Sequence, residues 1–82
     1  MIKTVYIIKV KKRNGVFWIS KFDLANDLFE IHPNKQESIV FENRGLASLI
    51  SETFRFVFQG IEAVEVIPVE LSISITTNIK EG

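Results

Sequence analysis

The sequence contains no cysteine and a single histidine among its 82 residues. Without cysteine the chain has no disulfide, no thiolate nucleophile and no cysteine-ligated zinc site. The one histidine, His32, precedes Pro33 in a predicted turn, and no nucleophile–base motif accompanies it. A lone turn histidine is ordinary surface in most proteins. We therefore expect a protein that is not an enzyme and has no catalytic residues.

Glycine is scarce as well, and its four positions match neither a Gly-x-Gly-x-x-Gly motif nor a P-loop. Asp23, Asp27 and Glu30 have a spacing that a helix would gather on one side. They fall in a predicted loop and strand, and oxygen-only metal sites usually need more ligands. We expect no cofactor and no metal.

Long apolar runs are also missing. No stretch of about 18 uncharged apolar residues occurs, and lysines near the N-terminus interrupt any apolar region of the kind that a signal peptide needs. We expect a soluble, cytoplasmic protein that does not enter a membrane. Hydrophobic residues are 46% and charged residues 24% of the chain, as in ordinary globular proteins. A chain of this length holds one core. We predict a single domain over residues 1–76, a flexible tail over residues 77–82, and no separate DNA-binding domain.

Charge is balanced in total but divided along the chain. Residues 1–21 carry six of the ten basic residues and no acidic one, whereas residues 22–82 carry the other four with all ten acidic residues. This division favours electrostatic steering of a partner or of a second copy. The net charge of zero argues against a dedicated DNA-binding protein.

Two hairpins are predicted in the first half of the chain. Residues 4–10 and 16–22 are rich in β-branched and aromatic residues, and Asn14-Gly15 between them predicts a type I′ turn. This hairpin is apolar on both faces, which predicts a central place in a covered sheet. Residues 28–32 and 37–41, around the turn at residues 33–35, predict a second hairpin.

A helix is predicted over residues 46–59, with Asn43 or Gly45 as N-cap and Gly60 as a left-handed C-terminal cap. At 100° per residue the apolar side chains fall on one broad face. The members of that face are Leu46, Leu49, Ile50, Phe54, Val57 and Phe58. The opposite, polar face is formed by Arg44, Ser48, Ser51, Glu52, Arg55 and Gln59.

The last predicted strand covers residues 69–75, after an apolar segment at residues 63–67 and Pro68, and its alternating residues place a row of apolar side chains on one face. Proline cannot donate to a β-ladder, so Pro68 indicates a sheet edge or a break between strands. An exposed apolar edge invites strand addition. We predict a homodimer whose interface includes Val69, Leu71, Ile73 and Ile75. The complete pattern predicts an α+β fold, β-β-β-(β)-α-β, with a mixed or antiparallel sheet of about four to five strands and one amphipathic helix on one face.

The basic tip of the first hairpin is a candidate for RNA contact. Lys11, Lys12 and Arg13 can neutralise phosphates, and Tyr6 and Trp18 can stack on bases. Charged hairpin tips also serve solubility, and a tryptophan on an alternating strand belongs to the core in most proteins. Phe56 lies at the margin of the helix stripe, where a partner could contact it.

The order and composition of these segments resemble the HicB-like antitoxin family. The stretches that carry the resemblance are residues 5–8, 14–20, 45–58 and 65–71. The resemblance implies a degenerate RNase H-like domain without nuclease carboxylates, which binds and blocks a small HicA-like mRNA-interferase toxin and forms dimers or larger oligomers. Residues 23–26 and Gly45 depart from the family pattern, in loops where a toxin would bind.

The sequence thus predicts a non-catalytic protein-binding module with an antitoxin-type role. Two alternatives stay open: a small RNA-binding module that uses residues 9–13, and a purely structural homo-oligomer. Salt dependence separates RNA binding from protein binding, because phosphate contacts weaken steeply as salt rises.

Overall fold

All neighbouring strands of the sheet run antiparallel, in the order β3-β2-β1-β4. The computed structural model describes residues 2–72. The strands are β1 (Ile2–Lys12), β2 (Gly15–Asp23), β3 (Leu28–His32) and β4 (Ile61–Ser72), and the single helix α1 (Arg44–Val57) lies between β3 and β4. Short 3-10 turns occupy Leu24–Asn26 and Lys35–Glu37. The predicted α+β fold is confirmed, whereas the predicted tail at residues 77–82 lies outside the described residues.

The first hairpin is confirmed, but its predicted turn type is wrong. Lys12 pairs with Gly15, so Arg13 and Asn14 form the turn. Among residues 2–72, Asp27 is the one non-glycine residue with positive φ, at 53°, whereas Gly15 has φ 143°. A type I′ turn needs positive φ at both central residues. Arginine resists that region, and the glycine falls one position later at the start of β2.

The second predicted hairpin is wrong. β3 has the expected bounds, but it pairs with β2 and not with residues 37–41. The Ile39 N–H donates to the carbonyl of Ile19 (3.0 Å), and Tyr6 and Phe41 exchange two backbone hydrogen bonds of 2.7 and 2.8 Å. β1 and β2 pair only near their hairpin turn, over residues 9–12 and 15–18. Residues 39–41 therefore fill the gap where the two strands diverge.

The helix is confirmed, but it is rotated from the predicted orientation. Leu46 and Leu49, predicted to be buried, are 43% and 55% exposed, whereas Ser51, predicted on the polar face, is 8% exposed. Its hydroxyl donates to the Ser48 carbonyl (2.8 Å). The buried helix residues are Ala47, Ile50, Ser51 and Phe54. Two of the four are small, which lets the helix lie close to the sheet.

The helix ends differ slightly from the prediction. The Asn43 side chain accepts the Leu46 N–H (3.1 Å) and so caps the N-terminus. At the other end the helix stops at Val57, with Phe58 as an extended C-cap. Gly60, at φ 76°, is therefore not the cap; it lies two residues further on and turns the chain into β4.

The core lies between α1 and one face of the sheet, named here the helix-covered face. Phe54 contacts Phe29 and Phe58 at ring-centroid distances of 5.3 and 4.7 Å, which extends the core from the helix to β3. The buried members are Ile8, Val10, Ile19, Phe41, Ala47, Ile50 and Phe54. Side chains alternate between the two faces along a strand, so Val5 and Ile7 point to the opposite face, named here the open face because α1 does not cover it. Both side chains are nevertheless buried, at 3% and 5% exposed.

Candidate interaction surface

The open face has an apolar half at the N-terminal end of β1. Val5 lies opposite Val69, and Ile7 lies opposite Ile67. Residues of the segment after β3 border this patch, and together they enclose a depression of about 490 Å³. Its lining residues are Val5, Ile7, Lys35, Gln36, Ser38, Val40, Val69 and Leu71. Leu71 and Val40, 43% and 50% exposed, leave apolar surface accessible there.

The other half of the open face is basic and aromatic. Trp18 lies opposite Lys9 of β1 on one side and opposite His32 of β3 on the other. The Lys35 ammonium lies 5.6 Å from the centroid of the Trp18 ring. Lys11 is two residues beyond Lys9, on the same face by strand alternation. Residues from β1, β2, β3 and the following turn thus meet around one indole.

The predicted dimer residues divide between described and undescribed parts of the chain. Val69 and Leu71 lie on the open face, opposite Val5 and Lys3. Ile73 and Ile75 lie outside the described residues. The side chains of the first two therefore belong to a sheet face and not to the hydrogen-bonding edge of β4.

Pro68 interrupts that edge. Tyr6 lies opposite Pro68, yet both backbone groups of Tyr6 bond to Phe41 on the other side of β1. The pair is therefore a non-hydrogen-bonded one, and the Pro68 nitrogen points away from β1. Within residues 2–72 no strand lies on that side of β4. The ring occupies the position where an added strand would place its carbonyl, so it opposes strand addition across residue 68.

Replacing Pro68 with threonine is expected to restore an outward N–H and promote self-association through β4. Sedimentation velocity should show a weight-average mass above that of wild type, rising with concentration. Pro33→Thr removes a proline that lies outside the strands and is the control. A Pro68→Thr variant that sediments like wild type at all concentrations would contradict this role.

The predicted basic tip is split by the fold. Lys11 and Lys12 alternate on β1, so they project from opposite faces. The Lys12 ammonium lies 5.7 Å from the Phe17 ring, and Phe17 packs against the core of the helix-covered face. Lys11 instead joins Lys9 beside Trp18. Arg13 lies in the turn between the strands.

The histidine and the acidic residues considered as candidates for catalysis or metal binding lie mainly in turns, where they make local hydrogen bonds. The His32 Nδ1 accepts the Asn34 N–H (3.0 Å). The Asp23 carboxylate accepts the Ala25 N–H (3.1 Å) and the Asn26 side-chain amide (2.8 Å). Asp27 ends the first 3-10 turn in a left-handed conformation, and Glu30 lies opposite Lys21. No cluster of three or more metal-ligating side chains occurs within residues 2–72.

Two aromatic side chains bear on binding, Phe56, which is exposed, and Trp18, which is half-buried. Phe56 is 92% exposed and, with Leu46 and Leu49, leaves apolar surface on α1. Trp18, expected in the core, instead lies on the open face. Its position follows from alternation with Phe17 and Ile19, once the helix is known to cover their side of the sheet.

Comparisons with protein-family models, with curated proteins and with solved structures gave no match. Within residues 2–72, no helix has the length and apolar character required to cross a membrane.

Proposed function

We propose that this chain is a non-catalytic protein-binding module that binds its partner through the apolar half of the open face. The observation that carries the proposal is the depression beside Val69 and Leu71, which leaves apolar surface accessible on a sheet face that α1 does not cover. Accessible apolar patches with polar borders are characteristic of interaction sites. Lys35, Gln36 and Ser38 supply such a border here.

The specific role we propose is that of a HicB-like antitoxin, which binds and blocks a small RNA-cleaving toxin. The element order β-β-β-α-β agrees with the layout that the resemblance implies. We further propose a homodimer that packs open face against open face. The Pro68 ring favours this packing over strand addition at the β4 edge.

A matched pair of leucine substitutions tests the binding surface. Leu71→Asn removes apolar contact on the open face, while Asn keeps similar size and leaves the net charge unchanged. Leu49→Asn makes the same change on the helix, where Leu49 is 55% exposed. We expect Leu71→Asn to weaken partner binding about tenfold or more, as loss of an interface anchor does, and Leu49→Asn to leave it unchanged.

The measurement is affinity purification from the source cells with each variant, followed by titration of the recovered protein and determination of molecular mass by light scattering. A small ribonuclease whose affinity depends on Leu71 supports the antitoxin role. Greater sensitivity to Leu49→Asn would place the site on α1 instead. A monomeric chain that recovers no protein would overturn both the binding and the dimer proposals.

A further inference from the structure

We infer that the basic half of the open face binds single-stranded nucleic acid, with Trp18 stacking on a base and Lys9, Lys11 and Lys35 contacting the flanking phosphates. This site shares Lys35 with the border of the apolar depression and Lys11 with the predicted hairpin tip, but its central residues, Trp18 and Lys9, belong to neither. It does not depend on the proposed protein-binding function.

The position of Trp18 provides a platform for stacking. Its strand, β2, is an inner strand of the sheet, so the indole is held by neighbours on both sides. Cross-strand side chains have Cβ atoms about 4.5–5.5 Å apart. Lys9 and His32, directly opposite, therefore flank the ring. The core cluster of the helix-covered face does not include Trp18.

The lysines supply a short basic track beside this platform. Lys9 and Lys11 are two residues apart on one strand, which separates them by about 7 Å. Lys35 reaches the indole from a different part of the chain. Within residues 2–72 one ion pair occurs, between Lys3 and Glu42 (2.9 Å), so none of these three ammonium groups is neutralised by a close carboxylate there.

Acidic residues on the same face reduce the positive charge but do not cancel it. Glu65 lies opposite Lys9, and Glu30 lies opposite Lys21. Asp23, opposite Leu28, is a third carboxylate on this face, whereas Lys3 is already paired with Glu42. Against these three carboxylates the open face carries four other lysines, which are Lys9, Lys11, Lys21 and Lys35. An acidic protein would satisfy this charge as well, but it has no base to stack on the indole. The pairing of a half-buried ring with lysines favours nucleic acid.

The contact between Lys35 and the indole does not prevent stacking. A cation–π contact at an exposed site contributes about 0.5–1 kcal/mol, whereas base–aromatic stacking contributes about 1–3 kcal/mol per base. A base can therefore displace the flexible lysine from the ring. The displaced ammonium remains close enough to contact the next phosphate.

The sole tryptophan of the chain reports directly on this site. Titration with a uridine decanucleotide and a deoxyuridine decanucleotide, at low salt, is expected to quench Trp18 fluorescence saturably. We expect a Kd on the order of 10–100 μM, within the range of non-specific binding. Each phosphate contact on a single strand contributes about −0.7 to the slope of log K against log salt concentration, so three contacts predict a slope near −2. The two oligonucleotides show whether the sugar matters.

Matched variants, followed by anisotropy of a labelled oligonucleotide, locate the site. Trp18→Ala is expected to weaken binding about 5-fold to 150-fold, and Trp18→Phe to retain much of the affinity. Lys11→Gln should weaken binding and reduce the salt slope by about 0.7, while its neighbour Lys12→Gln changes neither. Leu71→Asn should also have no effect, which separates this site from the protein-binding surface.

Three results would overturn the inference. The first is absence of saturable quenching by either oligonucleotide. The second is that polyglutamate of the same charge as the oligonucleotides binds with the same affinity as they do and depends on Trp18 to the same extent. That result would identify an acidic polypeptide as the ligand. The third is an equal effect of Lys11→Gln and Lys12→Gln, which would assign binding to the hairpin tip.

Discussion

Replacing Phe54 with alanine is expected to lower the free energy of unfolding by about 3–5 kcal/mol, the usual cost for a buried phenylalanine. Phe54 is 2% exposed and contacts two other rings, Phe29 and Phe58. Removing its ring leaves a cavity where α1 meets β3. A domain of this size has a stability of only about 5–10 kcal/mol, so the loss is a large fraction of the total.

Phe56 offers a matched control two residues away on the same helix. It is 92% exposed, so the same substitution should change stability by less than about 0.5 kcal/mol. Urea denaturation followed by circular dichroism measures both values. If Phe54→Ala does not fold, Phe54→Leu should still show an intermediate loss, because most of the apolar volume remains. Equal effects at the two positions would contradict the described burial of Phe54 and exposure of Phe56.

The rotation of α1 away from its predicted orientation could not be predicted from helical periodicity. The apolar residues from Leu46 to Phe58 cover a broad arc, and any part of such an arc can face a sheet. The choice depends on how closely the helix approaches. Ala47 and Ser51 permit a close approach, which moves the contact toward them and leaves Leu46 and Leu49 at the margin.

The strands show the same division between local and long-range information. Composition and turn residues identified β1, β2 and β3, because these signals are local. Residues 37–41 alternate like a hairpin arm, but the backbone groups of Phe41 bond to Tyr6, 35 positions earlier in the sequence. Alternation predicts an extended segment and does not identify its partner.

The candidate surface was predictable only in part. Alternation alone places Lys11 and Lys12 on opposite faces of β1, so their separation was predictable from the sequence. Which face α1 covers was not predictable, since β1 is apolar on both: Val5 and Ile7 on one, Ile8 and Val10 on the other. The open position of Trp18 depends on that choice. A structure was therefore needed to locate the platform.

Phe41→Ala is expected to cost about 3–5 kcal/mol of unfolding free energy, because Phe41 is 4% exposed and stacks on Phe22 at a centroid distance of 5.7 Å. Its neighbour Val40, 50% exposed on the open face, is the control, and Val40→Ala should cost less than about 0.5 kcal/mol. Urea denaturation again gives both values. A loss below about 1 kcal/mol at Phe41 would contradict its place in the core.

Hydrogen exchange in Phe41→Ala can separate loss of the inserted segment from loss of the whole fold. The Tyr6 amide donates to the Phe41 carbonyl (2.7 Å), whereas alternation directs the Ile7 amide toward Ile67 of β4. Without the Phe41 ring, residues 39–41 are held mainly by backbone bonds and should open locally. Tyr6 should then exchange faster than Ile7. Equal rates would instead mean that the segment opens only with the entire sheet, so that the insertion between β1 and β2 is part of the global folding unit.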